Sequence, residues 1–444
     1  MTSLALALAA VSTVATGMFY PDDHCLFGGV DLNKDGVGDV VVGLNGYWNA
    51  PDHTSIRSDG RLLAFSGKDG SVLFDEKGDQ RESLFGTCVA ATRDEDGDGT
   101  PDLWVGAPGM RRRTGTDARI DEPAGGVQLL SGRNGKVLES LQWQSPCTDA
   151  GGAVIVLDDI DGDGRGELGV GTKSGNAMFV CSGKTGTVLW RMEIDAFWRG
   201  GRFARTGDMD GDEVDDIVVV SRRGEGQARS GSSLTICSGK TGREIRTLRG
   251  FGTLPAGWRY SGGLQPILHA GVQSCLVVCE WPEKDLCRVY LISLVDGSAK
   301  EVSTQPSLED KQFGGSDQAC SLGESITLLG TANDADFAVG APRWSPRSGS
   351  GPRGRVMIVS GRDLHPSSVI DPPAPRNMCT SFGDRIASVG DVSGDSVPDI
   401  AVFTWQAEDC PDPSPRCVRV YSGGTQKELW RVDLAPFVAA RKSE

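Results

Sequence analysis

The chain has 444 residues, 45 of them Lys or Arg and 60 Asp or Glu, for a formal net charge of −15. That acidity argues against a nucleic-acid coat or a binder of anionic membrane surfaces. Glycine stands at 61, about twice the usual share, while 38% hydrophobic residues exclude a disordered chain, so many tight turns around a real core are implied. With four His and no Gly-x-Ser-x-Gly elbow, histidine-cluster and serine-hydrolase mechanisms have few candidates.

Residues 1–19 form an apolar segment. LALALAAVSTVATGM, from Leu4 to Met18, has the length of a leader core, yet the first cation is Lys34. Alternation of Leu4, Leu6 and Leu8 with Ala also fits an edge strand, and both readings stay open. No apolar run reaches the ~18 residues of a bilayer span, so no membrane insertion is expected.

Beyond this segment one unit recurs seven times. Its mark is a strand, a Ser-Gly turn and a second strand: LLAFSGKDGSVLF, VQLLSGRNGKVLE, MFVCSGKTGTVLW, LTICSGKTGREIR, VYLISLVDGSAKE, VMIVSGRDLHPSS and VRVYSGGTQKELW. The shared Ser stands at 66, 131, 182, 238, 293, 360 and 422, a period of about 60 residues, as expected of a repeat fold. Upstream of each turn lie two further short apolar runs, giving four strands per unit.

In five units an acidic loop separates those two runs: DLNKDGVGD from Asp31, DEDGDGTPD from Asp94, DIDGDGRGE from Asp159, DMDGDEVDD from Asp208 and DVSGDSVPD from Asp391. Positions 1, 3, 5 and 9 carry side-chain oxygen. They are Asp31, Asn33, Asp35 and Asp39; Asp94, Asp96, Asp98 and Asp102; Asp159, Asp161, Asp163 and Glu167; Asp208, Asp210, Asp212 and Asp216; and Asp391, Ser393, Asp395 and Asp399. Position 7 (Val37, Thr100, Arg165, Val214, Val397) can add its backbone carbonyl. Hard oxygens at alternate positions of a tight loop suit Ca²⁺, and carboxylates packed this closely oppose the turn unless a cation joins them. Up to five Ca²⁺ sites are predicted. An EF-hand is excluded, because it needs Glu at position 12 leading into a helix. Here position 12 is Val42, Val105, Val170, Val219 or Val402, each inside a β-branched run.

The twelve Cys are too sparse for a disulfide scaffold, and no Cys-x-x-Cys pair suggests zinc. Cys181 and Cys237 occupy an apolar slot and read as core thiols. A disulfide between Cys410 and Cys417 across CPDPSPRC is expected.

Phe85-Gly86 with Val105-Gly106-Ala107-Pro108, and Phe313-Gly314 with Val339-Gly340-Ala341-Pro342, are the two signatures of the FG-GAP repeat, and Phe382-Gly383 keeps the first half. With the acidic loops, the chain closely resembles the seven-bladed propeller at the head of integrin α subunits and its bacterial FG-GAP relatives. The resemblance implies an all-β fold: a seven-bladed β-propeller of four-stranded antiparallel blades, A to D, with calcium loops between strands A and B. It places one propeller over residues 20–434, with blades at 20–79, 80–144, 145–195, 196–250, 251–304, 305–371 and 372–434, and a tail at 435–444. Units 5 and 6 lack the acidic loop and by the family scheme hold no calcium.

Ligand-binding loops are expected on the face opposite the calcium loops. After strand B stand Tyr47 and Trp48, Arg111, Arg112 and Arg113, Arg222 and Arg223, Trp281, Trp344 and Trp405. The D-to-A connections add Trp198 and Trp258. Indole stacks on sugar rings and apolar side chains, and Arg pairs with carboxylate or sulfate, so a protein or glycan ligand, with anionic groups for the Arg to pair, is the expected partner. The leading expectation is a calcium-stabilised, non-catalytic recognition module that is extracellular, periplasmic or at the cell surface. The alternatives are a propeller enzyme, such as a calcium-dependent polysaccharide lyase or a quinone-dependent dehydrogenase, hinted at by Trp190 and Trp430, and a spacer within a larger surface assembly.

Overall fold

The computed structural model describes residues 24–45, 48–49, 55–56, 59–80, 82–113, 121–144, 147, 149–173, 177–194, 203–222, 232–249, 259–281, 286–302, 323, 325–342, 344, 353–373, 381–404 and 416–438. The fold is a seven-bladed β-propeller, and each blade is a four-stranded sheet with neighbours antiparallel in chain order. Blade 1 comprises β1 (His24–Val30), β2 (Asp39–Leu44), β5 (Arg61–Phe65) and β6 (Val72–Lys77); the minor strands β3 (Trp48–Asn49) and β4 (Ser55–Ile56) form a separate hairpin. Blade 2 comprises β7 (Val89–Ala91), β8 (Leu103–Gly106), β11 (Gly126–Leu130) and β12 (Val137–Gln142), with β9 (Arg111–Arg113) and β10 (Asp121–Pro123) as a side hairpin.

Blade 3 is β13 (Ala150–Val156) to β16 (Val188–Glu193), and blade 4 is β17 (Phe203–Arg205) to β20 (Glu244–Arg249). Blade 5 is β21 (Arg259–His269) to β24 (Ala299–Glu301), and blade 6 is β25 (Ile326–Leu329) to β28 (Pro366–Ile370). Blade 7 is β29 (Arg385–Gly390) to β32 (Glu428–Asp433), followed by a one-turn helix α1 (Ala435–Val438). No helix of the described residues is long and apolar enough to cross a membrane. The first 23 residues, and with them the apolar segment, lie outside the described part.

Strand chemistry follows position in the blade. Second strands are buried on both faces, so they read as unbroken apolar runs: DVVVGL in β2 is buried throughout. Outer strands alternate, as in VLWRME of β16, whose buried side is only partial. Each Ser-Gly turn is a bulged hairpin with a positive-φ residue at its fifth position, such as Gly135 at φ 75° and Gly186 at φ 70°.

The chain forms two compact units. One contains blades 1 to 4, and the other contains blades 5 to 7 together with residues 66–71. Within each, apolar clusters sit between consecutive blades. Phe27, Val41 and Leu62 of blade 1 meet Phe85, Leu103 and Val105 of blade 2. Val356 and Ile358 of blade 6 meet Phe382, Ile400 and Val402 of blade 7. Burying an aromatic such as Phe85 or Phe382 contributes roughly 1.5–3 kcal/mol, and both are at most 1% exposed.

The seams explain why Phe-Gly and Gly-Ala-Pro recur. Phe85 bridges Gly60 of the preceding blade in parallel, and Phe382 bridges Gly354 likewise. A Cβ on Gly106 would lie 2.2 Å from the Gly151 carbonyl of blade 3, and one on Gly340 would lie 2.0 Å from the Gly383 carbonyl of blade 7. Only glycine lets adjoining backbones approach this closely.

Tryptophans on outer strands fasten neighbouring turns. Trp190 Nε1 donates to Gly239 O at 2.9 Å, Trp143 Nε1 to Gly186 O at 2.8 Å, and Trp430 Nε1 to Gly67 O. Trp190 and Trp430 are therefore committed to packing. Cys181 and Cys237 are buried thiols, as expected of core residues. Cys417 is a buried thiol, and its expected partner Cys410 lies outside the described residues.

Candidate metal centres

Each acidic loop leaves the first strand of its blade and returns into the second. The chain winds tightly because positions 4 and 6 both take positive φ. Position 4 is Gly97, Gly162, Gly211 or Gly394, and Lys34 (φ 64°) in blade 1. Position 6 includes Glu213 (φ 69°) and Ser396 (φ 68°). The first carboxylate absorbs the backbone donors this winding exposes. Asp94 accepts from Gly97 N at 2.7 Å and Gly99 N at 2.7 Å, Asp159 from Gly162 N and Gly164 N, Asp208 from Gly211 N and Glu213 N, and Asp391 from Gly394 N and Ser396 N.

The ninth residue is buried beneath the loop and accepts from the N–H of position 2. Asp102 takes Glu95 N at 2.8 Å, Glu167 takes Ile160 N at 2.7 Å, Asp216 takes Met209 N at 2.7 Å and Asp399 takes Val392 N at 2.8 Å. In four loops the carboxylates converge. One oxygen each from Asp94, Asp96 and Asp102, from Asp159, Asp161 and Glu167, from Asp208, Asp210 and Asp216, and from Asp391, Asp395 and Asp399 lie within 4.8 Å of one another. Among the described residues, the loop of blade 1 shows no such convergence. There Asn33 Nδ2 donates to Asp35 Oδ2 at 3.1 Å, the oxygen that takes a Ser hydroxyl in the other four loops.

Burial pushes Asp102 and Asp216 up to about 6, against backbone donors that favour the anion, and raises Glu167 and Asp399 as well. The exposed members go the other way. The N–H groups of Gly211 and Glu213 hold Asp208 below its ordinary range, and the Ser422 hydroxyl does the same for Asp395. Every donor in these clusters is a hard oxygen. The set therefore fits a hard cation such as Ca²⁺.

Neighbouring loops of blades 1 to 4 are tied by charge. Lys34 Nζ donates to Asp98 O at 2.7 Å; Arg165 reaches Glu95 at 3.1 Å and Glu139 at 2.6 Å; Arg205 bridges Asp158 at 2.9 Å and Asp215 at 2.6 Å. Blades 5 and 6 replace the loops with direct hydrogen bonds. The two-residue turn Ala270-Gly271 of blade 5 donates to Asp334 Oδ1 at 2.7 Å and Asn333 Oδ1 at 2.8 Å of blade 6.

Sequence reasoning did not connect the Ser-Gly turns with the acidic loops. The Ser hydroxyls donate to position 5: Ser131 to Asp98, Ser182 to Asp163, Ser238 to Asp212 and Ser422 to Asp395. The only signal available was that both signatures recur in phase.

The predicted ligand residues are more dispersed. Trp48 begins the small hairpin β3–β4. Trp281 is not in a loop; it ends β22 (Val272–Trp281), paired with Leu286, because the ladder of blade 5 runs longer than in other blades. Arg111, Arg112 and Arg113 form β9, opposite Pro123, Glu122 and Asp121 in register, and Arg111 lies 3.9 Å from Glu82. Trp344 carries the Arg355 guanidinium 3.5 Å above its ring, and Arg355 is held by Asp371 at 2.8 Å. Tyr47, Trp198, Arg223, Trp258 and Trp405 lie outside the described residues, as does Phe313-Gly314; nothing is described of the Arg222 side chain.

No family model matches the chain. Integrin alpha-V of Gallus gallus is 30% identical over 147 residues, 33% of this chain and 13% of that protein. Integrin alpha-5 of Xenopus laevis is 29% identical over 180 residues, 36% of this chain and 17% of that protein. Integrin alpha pat-2 of Caenorhabditis briggsae is 24% identical over 257 residues, 51% of this chain and 20% of that protein. The similarity thus spans at most a fifth of these relatives' length. The chain is thus a seven-bladed β-propeller of four-stranded blades that carries the FG-GAP signatures, with Gly340-Ala341-Pro342 laid against Phe382-Gly383 at one seam, and over part of its length it is similar to integrin α chains.

Proposed function

We propose that this chain is a calcium-stabilised, non-catalytic recognition module working outside the cytoplasm, where calcium is plentiful. The observation that carries this reading is the convergence of three carboxylate oxygens within 4.8 Å in each of four loops, from positions 1, 3 and 9 in blades 2, 3 and 4 and from positions 1, 5 and 9 in blade 7. An isolated acidic loop is commonly just solvated, but four in phase, each with a buried anion at position 9, leave uncompensated charge that a divalent ion offsets. The donors are Asp94, Asp96, Asp98 and Asp102 in blade 2, with their equivalents in blades 3, 4 and 7. When bound, the ion neutralises the clusters and locks each first-to-second strand connection.

The bound partner is a protein or glycan, met by connections on the side away from the acidic loops. Trp48, Arg111, Arg112, Arg113, Trp198, Trp258, Trp281, Trp344 and Trp405 remain the proposed contact residues. Trp344 is partly exposed, while the Arg355 stacked on its ring is buried and paired with Asp371, so it is the flat indole face that is offered to a ligand. Two measurements test this. Calcium titrated into chelator-stripped protein should release or absorb heat at about four sites and raise the melting temperature; neither effect would remove the metal reading. Glycan and protein arrays probed with and without chelator should show calcium-dependent binding that Trp344→Ala weakens. Arrays blank in both conditions would remove the recognition reading.

A further inference from the structure

The Ser-Gly turn and the acidic loop stand about 20 to 35 residues apart in each unit, yet in four blades they meet. Ser422 Oγ donates to Asp395 Oδ2 at 2.8 Å and Ser182 Oγ to Asp163 Oδ2 at 2.9 Å, with longer contacts from Ser131 to Asp98 (3.3 Å) and Ser238 to Asp212 (3.4 Å). The other oxygen of each position-5 Asp accepts from the N–H two residues on: Val397, Arg165, Thr100 and Val214 respectively. One donor thus sits on each oxygen, which fixes the carboxylate plane and leaves further lone pairs open. The next residue of the turn does the same for position 9. Gly132 N donates to Asp102 at 3.0 Å, Gly239 N to Asp216 at 3.1 Å and Gly423 N to Asp399 at 2.9 Å.

Blades without an acidic cluster separate the two contacts. Blade 6 keeps its Ser360-Gly361 turn, and Gly361 N still donates to Asp336, the position-9 equivalent, at 3.0 Å. Its turn offers no position-5 carboxylate. In blade 5 the Ser293 hydroxyl accepts only from N–H groups of its own turn, Val295 and Asp296. The glycine contact therefore belongs to the blade fold, while the serine contact accompanies converging carboxylates.

We infer that Ser131, Ser182, Ser238 and Ser422 are positioning residues of the cation sites, so that the Ser-Gly turn and the acidic loop are two halves of one ion-binding unit. This rests on the calcium reading above. In blade 7 the hydroxyl holds Asp395 inside the converging group before the ion arrives, so the ion binds without first having to order it; in blades 2, 3 and 4 the hydroxyl fixes Asp98, Asp163 and Asp212 beside theirs. Removing such an outer partner typically lowers metal affinity ten- to a hundred-fold.

Ser422 is the residue to test, because among the described residues blade 7 holds the single cluster of its compact unit. Calcium alone is titrated calorimetrically into the full, chelator-stripped chain, with Tb³⁺ luminescence as a second readout. Wild type should show about four sites. Ser422→Ala should weaken one of them at least tenfold and leave three, Ser422→Thr should restore it, and Ser360→Ala in the cluster-free blade 6 should leave the titration unchanged. The melting temperature of the stripped variants accounts for any loss of fold. Four undiminished sites in folded Ser422→Ala overturn the positioning role while the calcium reading stands. Loss of a site in Ser360→Ala equal to that in Ser422→Ala also overturns it, since the effect would then be one of turn stability. No binding by wild type overturns both.

Discussion

Two residue-level constraints shape this molecule: glycines that admit a neighbouring backbone and carboxylates that are buried without a counter-charge. Gly106→Ala drives a Cβ to 2.2 Å from the Gly151 carbonyl and 2.4 Å from Cys88 Sγ, neither of which is a flexible side-chain end free to swing away. It should destabilise the protein by roughly 1–3 kcal/mol, read as a lower urea midpoint. Asp102 and Asp216 give a pH signature. Their pKa near 6 in the ion-free fold exceeds the ordinary value of about 3.9 in the unfolded chain, so between those limits the folded state holds more protons. Their contribution is fully present below pH 4 and lost as pH rises through 6. Stripped protein should therefore lose melting temperature between about pH 4 and 6, and the double variant Asp102→Asn, Asp216→Asn should lose less. Equal slopes would refute the assignment. These burial effects were not legible in the sequence, which gives the carboxylate at position 9 but not the lid of backbone above it.

At the scale of elements, the connection between first and second strands is solved in two ways. Blades 2, 3, 4 and 7 gather carboxylates, whereas blades 5 and 6 let one turn cap the other through Asn333 and Asp334. Asn333→Ala with Asp334→Ala should lower the melting temperature by the same amount in calcium and in chelator, because no ion is part of that joint. A chelator-dependent difference would place an ion there. The sequence marked these two units as lacking the acidic pattern. It could not show what stands in its place, since Ala270 and Asp334 are 64 residues apart and neither is unusual for a turn. The same holds for Trp344: its position after the second strand was legible, its stacking under Arg355 was not.

For the whole molecule the dependence on ions should be regional. Hydrogen exchange after calcium removal should accelerate in 94–102, 159–167, 208–216 and 391–399, while 263–281 and 325–342 stay unchanged, because local protection follows the local hydrogen bonds and charges. Uniform acceleration would mean that the ions act on global stability instead. Within the unit of blades 1 to 4, Arg165 and Arg205 join successive loops, so exchange there should rise together.

The seven-fold repeat, the all-β class and the propeller were legible in the sequence because their causes are local. Strand alternation, turn residues and loop spacing act within about ten residues and recur in phase. The positions of the acidic side chains were legible for the same reason. Tertiary structure alone decided which loops bring their carboxylates together, that Ser-Gly turns brace them, and that glycines at the seams face carbonyls of the next blade. Those outcomes depend on approach between segments distant in the chain, and a contact of that kind leaves no periodicity in the sequence to read.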